Sequence, residues 1–274
     1  MDVTGRLEDS ALVDMALSQD DADELYEVYP DLGASHLYFC PTCMKNCGEG
    51  VDGTVVVDGA LMRCNCADQL QRYKHYLNAG IGLTYQRLNW NDYFGDRNAQ
   101  AFVKGYIDAL DVNMLEGRGF VMFGKAGTGK TMLASFALKE AVRRGIECYM
   151  TTAKDYIENT KRGWNNAKYA KWYKRKIDAS RVLVLDDLGK EIEGGFGAKG
   201  TDYAIGQIEN LLRVRTQQSR PTIVTTNLSC PSGLETAYNK YVLSLFTESF
   251  DLVRVDGEDM REKARERRRG GRIW

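Results

Sequence analysis

The stretch Gly117–Thr131, GRGFVMFGKAGTGKT, constrains the fold of this chain more than any other. Phe120, Val121, Met122 and Phe123 form an unbroken apolar run of the length of a buried strand. Gly124, Lys125, Ala126, Gly127, Thr128, Gly129, Lys130 and Thr131 then fit the pattern G-x-x-x-x-G-K-[ST]. Leu133, Phe136, Ala137 and Ala141 recur at helical spacing, and Arg143, Arg144 and Gly145 close that helix. Glycines at 124, 127 and 129 admit turns that a residue with a Cβ resists. Successive N–H groups can then converge on phosphate oxygens, and the new helix adds its positive end. Lys130 brings a point charge for the β- and γ-phosphates, and Thr131 a hydroxyl for Mg²⁺. The bare pattern also describes a Gly-rich turn with no ligand. A strand before it and a helix after it point to a nucleotide site.

The remaining composition narrows the class. The chain has 274 residues, room for one large domain and a small one. Hydrophobic residues make up 43% and charged residues 27%, an ordinary globular balance. The apolar runs are too short for a membrane span, and the acidic start MDVTGRLEDS does not read as a signal peptide. A cytoplasmic protein with no membrane partner is expected. The formal net charge of −1 excludes a globally polybasic chain. Charge is nevertheless segregated: residues 1–31 are acidic, Lys161–Lys176 and Arg261–Arg272 basic.

Residues 1–36 read as an acidic helical segment, either a solvated face or a docking surface. Residues 37–70 carry Cys40-Pro-Thr-Cys43, nearby Cys47, and Cys64-Asn-Cys66. Between the pairs, Val51–Leu61 alternates like a hairpin, with Asp52-Gly53 and Asp58-Gly59 as turn signals. Two close cysteine pairs about twenty residues apart are the spacing of a zinc-ribbon-like site. Cys40, Cys43, Cys64 and Cys66 are its expected Zn²⁺ ligands, with Cys47 able to replace one of the second pair and His36 a weaker candidate. Scattered free thiols are the alternative. Residues 71–115 lead into the core, with a helix over Ala67–Tyr85 broken at Gly80-Ile-Gly82. A further helix over Asn98–Met114 carries Ala101, Phe102, Tyr106, Ile107 and Leu110 on one face.

Beyond the phosphate loop, Glu147–Thr151 reads as a strand and Ala153–Thr160 as the start of a helix. In Lys161–Lys176 cations alternate with Trp164, Tyr169, Trp172 and Tyr173. Such a stretch can track a phosphodiester backbone and stack bases, or pack its rings on the sheet. Arg181–Leu185 is a strand ending in Asp186-Asp187-Leu-Gly189, the Walker B arrangement. Asp186 is placed to hold Mg²⁺, and Asp187 to orient or deprotonate water. A strand end followed by an Asp-capped helix is the plainer reading. Gly194–Gly200 reads as a loop and Thr201–Val214 as a helix with Ile205, Ile208, Leu211 and Leu212 inward. Pro221–Asn227 is a further strand whose terminal amide can reach water or the γ-phosphate. Tyr241–Phe250, then Leu252–Val255 as a strand, lead to Asp256–Arg261 and a basic tail over residues 263–274, either a nucleic-acid contact or a solvated end.

From about Leu83 to Arg261 the chain resembles the AAA+ ATPase domain of DnaC/DnaI-type helicase loaders. The residues that carry the resemblance are GKAGTGKT at 124–131, LVLDDLG at 183–189, RPTIVTTNLS at 220–229 and GEDMR at 257–261. The cysteine-rich front resembles the zinc-binding module of DnaI-like and phage loaders. The resemblance implies an α/β, three-layer P-loop fold with a parallel five-strand sheet over residues 116–262, binding ATP and Mg²⁺ and hydrolysing ATP. It also implies single-stranded DNA and a replicative hexameric helicase as partners, and an ATP-dependent homo-oligomer. By its pattern Lys130 and Thr131 are Walker A, Asp186 and Asp187 Walker B, Asn227 sensor 1, and Arg261 a sensor 2-type arginine; the Lys161–Lys176 stretch falls where the family carries an initiator-type helix. One feature departs from it: Tyr241–Glu248 contains no arginine where such loaders usually place one that reaches a neighbour's ATP. Arg215 and Arg220 are the available substitutes. Two other functions fit the same core: an IstB-type transposition regulator, and a nucleotide-gated adaptor with little turnover.

Overall fold

In the computed structural model, the described residues are 38–40, 45–47, 54–57, 59–63, 75–193, 197–238 and 240–261. The acidic N-terminal segment, Cys43, Cys64, Cys66, His36, the Asp52-Gly53 turn and the basic tail lie outside them. The chain divides into two compact units, residues 1–87 with 142–145, and residues 88–141 with 146–274.

In the first unit, β1 (Tyr38–Cys40) pairs antiparallel with β2 (Lys45–Cys47), Cys40 opposite Lys45. β3 (Thr54–Val57) pairs antiparallel with β4 (Ala60–Arg63), and Val57 faces Ala60. Gly59 adopts φ +80, the left-handed conformation that tight hairpin links demand. Gly80 likewise turns to φ +73, and the chain resumes as a short helix, α1 (Leu83–Arg87).

The second unit is a parallel sheet whose strands lie in the order β6 (Cys148–Thr152), β7 (Val182–Leu188), β8 (Thr222–Thr226), β5 (Gly119–Phe123) and β9 (Phe250–Arg254), helices packing on it. The run Phe120–Phe123 becomes β5 (Gly119–Phe123), next to β8 at the interior of the sheet, with Phe120, Val121 and Met122 fully buried. A strand covered on both faces needs such an uninterrupted apolar sequence. Before it, a single helix over Asn98–Met114 was expected; two are observed, α2 (Arg97–Asp108) and α3 (Leu110–Glu116), meeting at Ala109. Asp96 caps α2 through the N–H groups of Asn98 and Ala99. Its buried face is Ala99, Val103, Tyr106 and Ile107; Ala101 is exposed, a one-residue shift that moves the stripe a quarter turn. The phosphate-loop helix α4 (Lys130–Arg143) follows β5.

Then come β6 (Cys148–Thr152), α5 (Ala153–Arg162), α6 (Ala167–Ala179) and β7 (Val182–Leu188). After the short α7 (Lys190–Glu193), α8 spans Gly197–Gln217. The loop expected over Gly194–Gly200 therefore gives way to helix from Gly197 on, where tertiary context overrides two glycines of poor helical propensity. Its inward residues include Ala204, Ile208, Leu211 and Leu212, with Ile205 half-buried. β8 (Thr222–Thr226), α9 (Ser232–Ala237), α10 (Lys240–Ser249) and β9 (Phe250–Arg254) complete the sheet. Because every strand of this sheet runs the same way, the β5, β7 and β8 ends that carry Gly124, Asp186 and Asn227 share one edge.

Candidate nucleotide site

The phosphate loop is built as the sequence requires. Gly124, Gly127 and Gly129 adopt φ +146, +83 and +90, open to glycine and costly for other residues. Space forbids a side chain as well. A Cβ on Gly127 would sit 2.3 Å from the Asp259 carboxyl, and one on Gly129 2.7 Å from the Tyr93 ring. Thr128 closes the loop by donating to the Lys125 carbonyl at 3.0 Å. Lys125 and Ala126 form its exposed crest.

Lys130 is buried at the start of α4, with its ammonium turned back to the loop. It donates to the carbonyls of Gly124 at 2.8 Å and Lys125 at 2.7 Å. Burial lowers its pKa from 10.5 to about 8, against the opposing pull of Asp187 and Asp186, with Arg261 and Lys190 adding to the lowering. Arg261, exposed just past the last strand, is thus near enough for its charge to be felt at Lys130.

Thr131 and Asp186 meet across the sheet: Thr131 Oγ1 donates to Asp186 Oδ1 at 3.0 Å. β8 lies between β7, which carries Asp186, and β5, which leads into the loop before Thr131, and its Thr225 hydroxyl also donates to Asp186 Oδ1. Burial raises the Asp186 carboxyl above its usual range, with the Thr225 and Thr131 hydrogen bonds opposing and the Asp187 charge adding to it. A hydroxyl and a carboxylate are hard oxygen donors, so the pair fits Mg²⁺. Bound there, Mg²⁺ would supply charge to phosphate oxygens.

Asp187 sits at φ +56, a left-handed conformation that costs a non-glycine residue on the order of 1 kcal/mol. The cause is visible in the register. Leu185 pairs with Val224 and Leu188 with Thr226, so β7 carries one residue more than β8 between those points. Such a bulge redirects side chains next to reaction centres. The Asp187 N–H donates to Thr225 Oγ1 at 2.9 Å, and its carboxylate pairs with Lys190 at 2.5 Å.

The structure brings Lys130, Thr131, Asp186 and Asp187 to one place. Asn227 follows β8 and is exposed at the same edge. Sequence reasoning missed Thr225, although a threonine at a buried strand end beside the acids was a readable signal. It also missed the backing of the loop: Met260 N–H donates to the Gly127 carbonyl at 2.9 Å, and the Tyr93 hydroxyl to the Thr128 carbonyl at 3.4 Å. Burial raises the Tyr93 phenol to about 12, with the Asp96 charge adding to it. Those contacts come from segments far away in sequence.

Arg215 takes no part in this site. It is buried beneath the opposite edge of the sheet and donates to Thr222 Oγ1, to Ser180 Oγ, and to the carbonyls of Ile177, Ser180, Arg181 and Pro221. Its role as a residue reaching a neighbouring subunit is thereby corrected: the guanidinium is enclosed. Arg220 donates to the Asp178 carbonyl nearby. The basic-aromatic stretch divides. Tyr169, Trp172 and Tyr173 are buried, whereas Trp164 is 68% exposed. Trp164 meets Tyr203 edge-to-face at 5.4 Å, and Lys161 lies over the Tyr203 ring. Lys168, Lys171, Lys174 and Arg175 are exposed on α6. Among the described residues no group of three or more His, Cys, Asp or Glu is placed to hold a metal ion, and no helix is long and apolar enough to cross a membrane.

Comparison with known proteins adds the family. The model of the IstB-like ATP-binding proteins matches residues 112–267, the phosphate loop through the last strand. The chain belongs to this family. It is therefore a P-loop ATPase core with the three-layer α/β fold expected from its motifs. It is 28% identical over 174 residues to the replicative helicase loader DnaC of Escherichia coli K12, covering 61% of this chain and 66% of that protein, just under two thirds of its length. It is 26% identical over 153 residues to an IS21-like putative ATP-binding protein of Bacteroides fragilis, covering 53% of each. A crystal structure of the DnaC helicase loader superposes with a TM-score of 0.53 at 28% identity, covering 63% of this chain and 99% of that one.

Proposed function

We propose that this chain is an ATP-dependent helicase loader, which binds single-stranded DNA and a replicative hexameric helicase and assembles with copies of itself when ATP is bound. The observation that carries the reading is the gathering of Lys130, Thr131, Asp186 and Asp187 at one sheet edge in a chain similar to DnaC. In this reading Lys130 leaves the loop carbonyls for phosphate oxygens, and Thr131 with Asp186 holds Mg²⁺. Asp187 orients the attacking water or takes its proton, while Asn227 and Arg261 address the γ-phosphate side. The exposed cations of α6 and the exposed Trp164 support contact with single-stranded DNA, since cations follow phosphates and an open indole stacks on any base.

Cys40, Cys43, Cys64 and Cys66 are proposed to bind Zn²⁺ in a module over residues 37–70, followed by the connecting residues 71–115 and the ATPase domain over 116–262. The antiparallel pair β1–β2, which ends its first strand at Cys40, and the β3–β4 hairpin, which ends just before Cys64, are compatible with two ligand-bearing turns. Metal analysis of the purified chain tests this: about one zinc per chain is expected, lost on changing Cys43 and Cys66 to serine.

The IstB match and the Bacteroides relative favour a second reading, a regulator of transposition that acts on duplex DNA. One comparison separates the two. A loader co-purifies with the host's replicative helicase and prefers single strands to duplex when ATP is present. Preference for duplex with no helicase recovered contradicts the loader. Full ATP binding with no hydrolysis, even with DNA and helicase, would instead identify a nucleotide-gated adaptor, in keeping with the arginine-free helix α10.

A further inference from the structure

Glu191 is a carboxylate with no exposed surface, a placement tolerated only when its oxygens are satisfied. Oε2 accepts the Gly189 N–H at 2.9 Å, and Oε1 accepts the Tyr238 hydroxyl. The neighbours of Glu191 explain its placement. The turn from Asp187 to Gly189 is held at successive backbone groups by side chains of β8 and of the following α7. Thr225 Oγ1 accepts the Asp187 N–H, the Thr226 hydroxyl donates to the Leu188 carbonyl at 2.7 Å, and Glu191 accepts the Gly189 N–H. Gly189 itself sits at φ +107 against Leu228, where a Cβ would come within 3.0 Å of that side chain.

We infer that Glu191 and Tyr238 are positioning residues for the second Walker B acid: together with Thr226 they clamp the turn that presents Asp187. A left-handed aspartate persists only where its surroundings over-determine it. Thr225 and Lys190 hold Asp187 directly; Glu191 fixes the turn on its far side, and Tyr238 fixes Glu191. Tyr238 lies between α9 and α10, so the clamp also ties the acid to the chain just before α10. This inference rests on the ATPase reading for its kinetic consequence but not for its structural one.

The test compares Tyr238→Phe, Glu191→Gln and Thr226→Val with Tyr106→Phe. Tyr106 is a buried tyrosine whose hydroxyl donates to the Arg118 carbonyl at 2.7 Å, away from the phosphate loop, and serves as the structural control. In the three clamp variants kcat should fall about tenfold while the Kd for ATP stays within about twofold, because misaiming an acid costs turnover rather than binding. Amide hydrogen exchange in the 186–190 segment, measured without nucleotide, should quicken about tenfold on loss of one anchoring hydrogen bond. Tyr106→Phe should leave both readings unchanged even where it lowers the melting temperature. Unaltered exchange in Tyr238→Phe, or an equal fall in kcat in Tyr106→Phe, overturns the clamp. If the wild-type chain shows no turnover, the ATPase reading fails, and exchange alone decides the clamp.

Discussion

The two edges of the parallel sheet each enclose a cation, and they use it in opposite ways. At one edge Lys130 donates to two loop carbonyls beside Asp186 and Asp187. At the other Arg215 is bonded to backbone carbonyls and hydroxyls around it. Burial lowers both, Lys130 to about 8 and Arg215 to about 10. An ammonium on a flexible stem can exchange its carbonyls for phosphate oxygens. A guanidinium fork fixed at several acceptors cannot move without orphaning them. The contrast teaches that a buried charge marks a reacting edge only where its present partners can be replaced.

The largest expected effect breaks the structural edge. Arg215→Met should destabilise the fold by roughly 3 kcal/mol or more, by leaving carbonyl and hydroxyl acceptors unpaired. Denaturant unfolding measures the loss; the ATP affinity of the protein that remains folded should not change. Arg215→Lys should recover little, because an ammonium cannot span the same acceptors. Asp187→Asn should do the reverse, lowering kcat by about a hundredfold or more while costing at most about 1 kcal/mol of stability through its lost pair with Lys190, as read by steady-state ATPase assays and thermal melts.

A pH series sharpens the contrast. Between about pH 8 and the ordinary lysine value of 10.5 the unfolded chain binds more protons at Lys130 than the folded one, so this residue makes stability rise with pH in the empty protein. Phosphate needs the charged form, so ATP affinity should be flat below about pH 8 and fall above it, by at most about tenfold per unit. Calorimetry in buffers of different ionisation enthalpy should detect proton uptake on binding above pH 8, and none in Lys130→Met. The smallest effect is expected at Lys190. Its pair with Asp187 is partly exposed and worth up to about 1 kcal/mol, so Lys190→Ala should change kcat by less than about fivefold.

Local signals made the edge with the phosphate loop legible. Phe120–Phe123, the glycines and Lys130 are contiguous, and each glycine takes the conformation its residue type foretold. The Walker B strand was legible up to Leu185; its continuation to Leu188 was not, because the bulge at the acids is held by Thr225 and Thr226 of another strand. Arg215 was unreadable for the same reason. Its partners lie at 177–181 and 221–222, and nothing beside it in sequence marks it as buried. The basic-aromatic stretch was ambiguous because alternation alone does not say which rings turn inward. Packing on the sheet took Tyr169, Trp172 and Tyr173 and left Trp164 outside.

The most direct measurement is ATP affinity of Lys130→Ala, by titration with Mg²⁺ present, beside its melting curve without nucleotide. A loss of at least about tenfold in affinity, from a variant that melts no earlier than wild type, is the expected result. A variant that binds ATP as tightly as wild type would contradict the triphosphate site at this loop, and with it every role assigned to Thr131, Asp186 and Asp187.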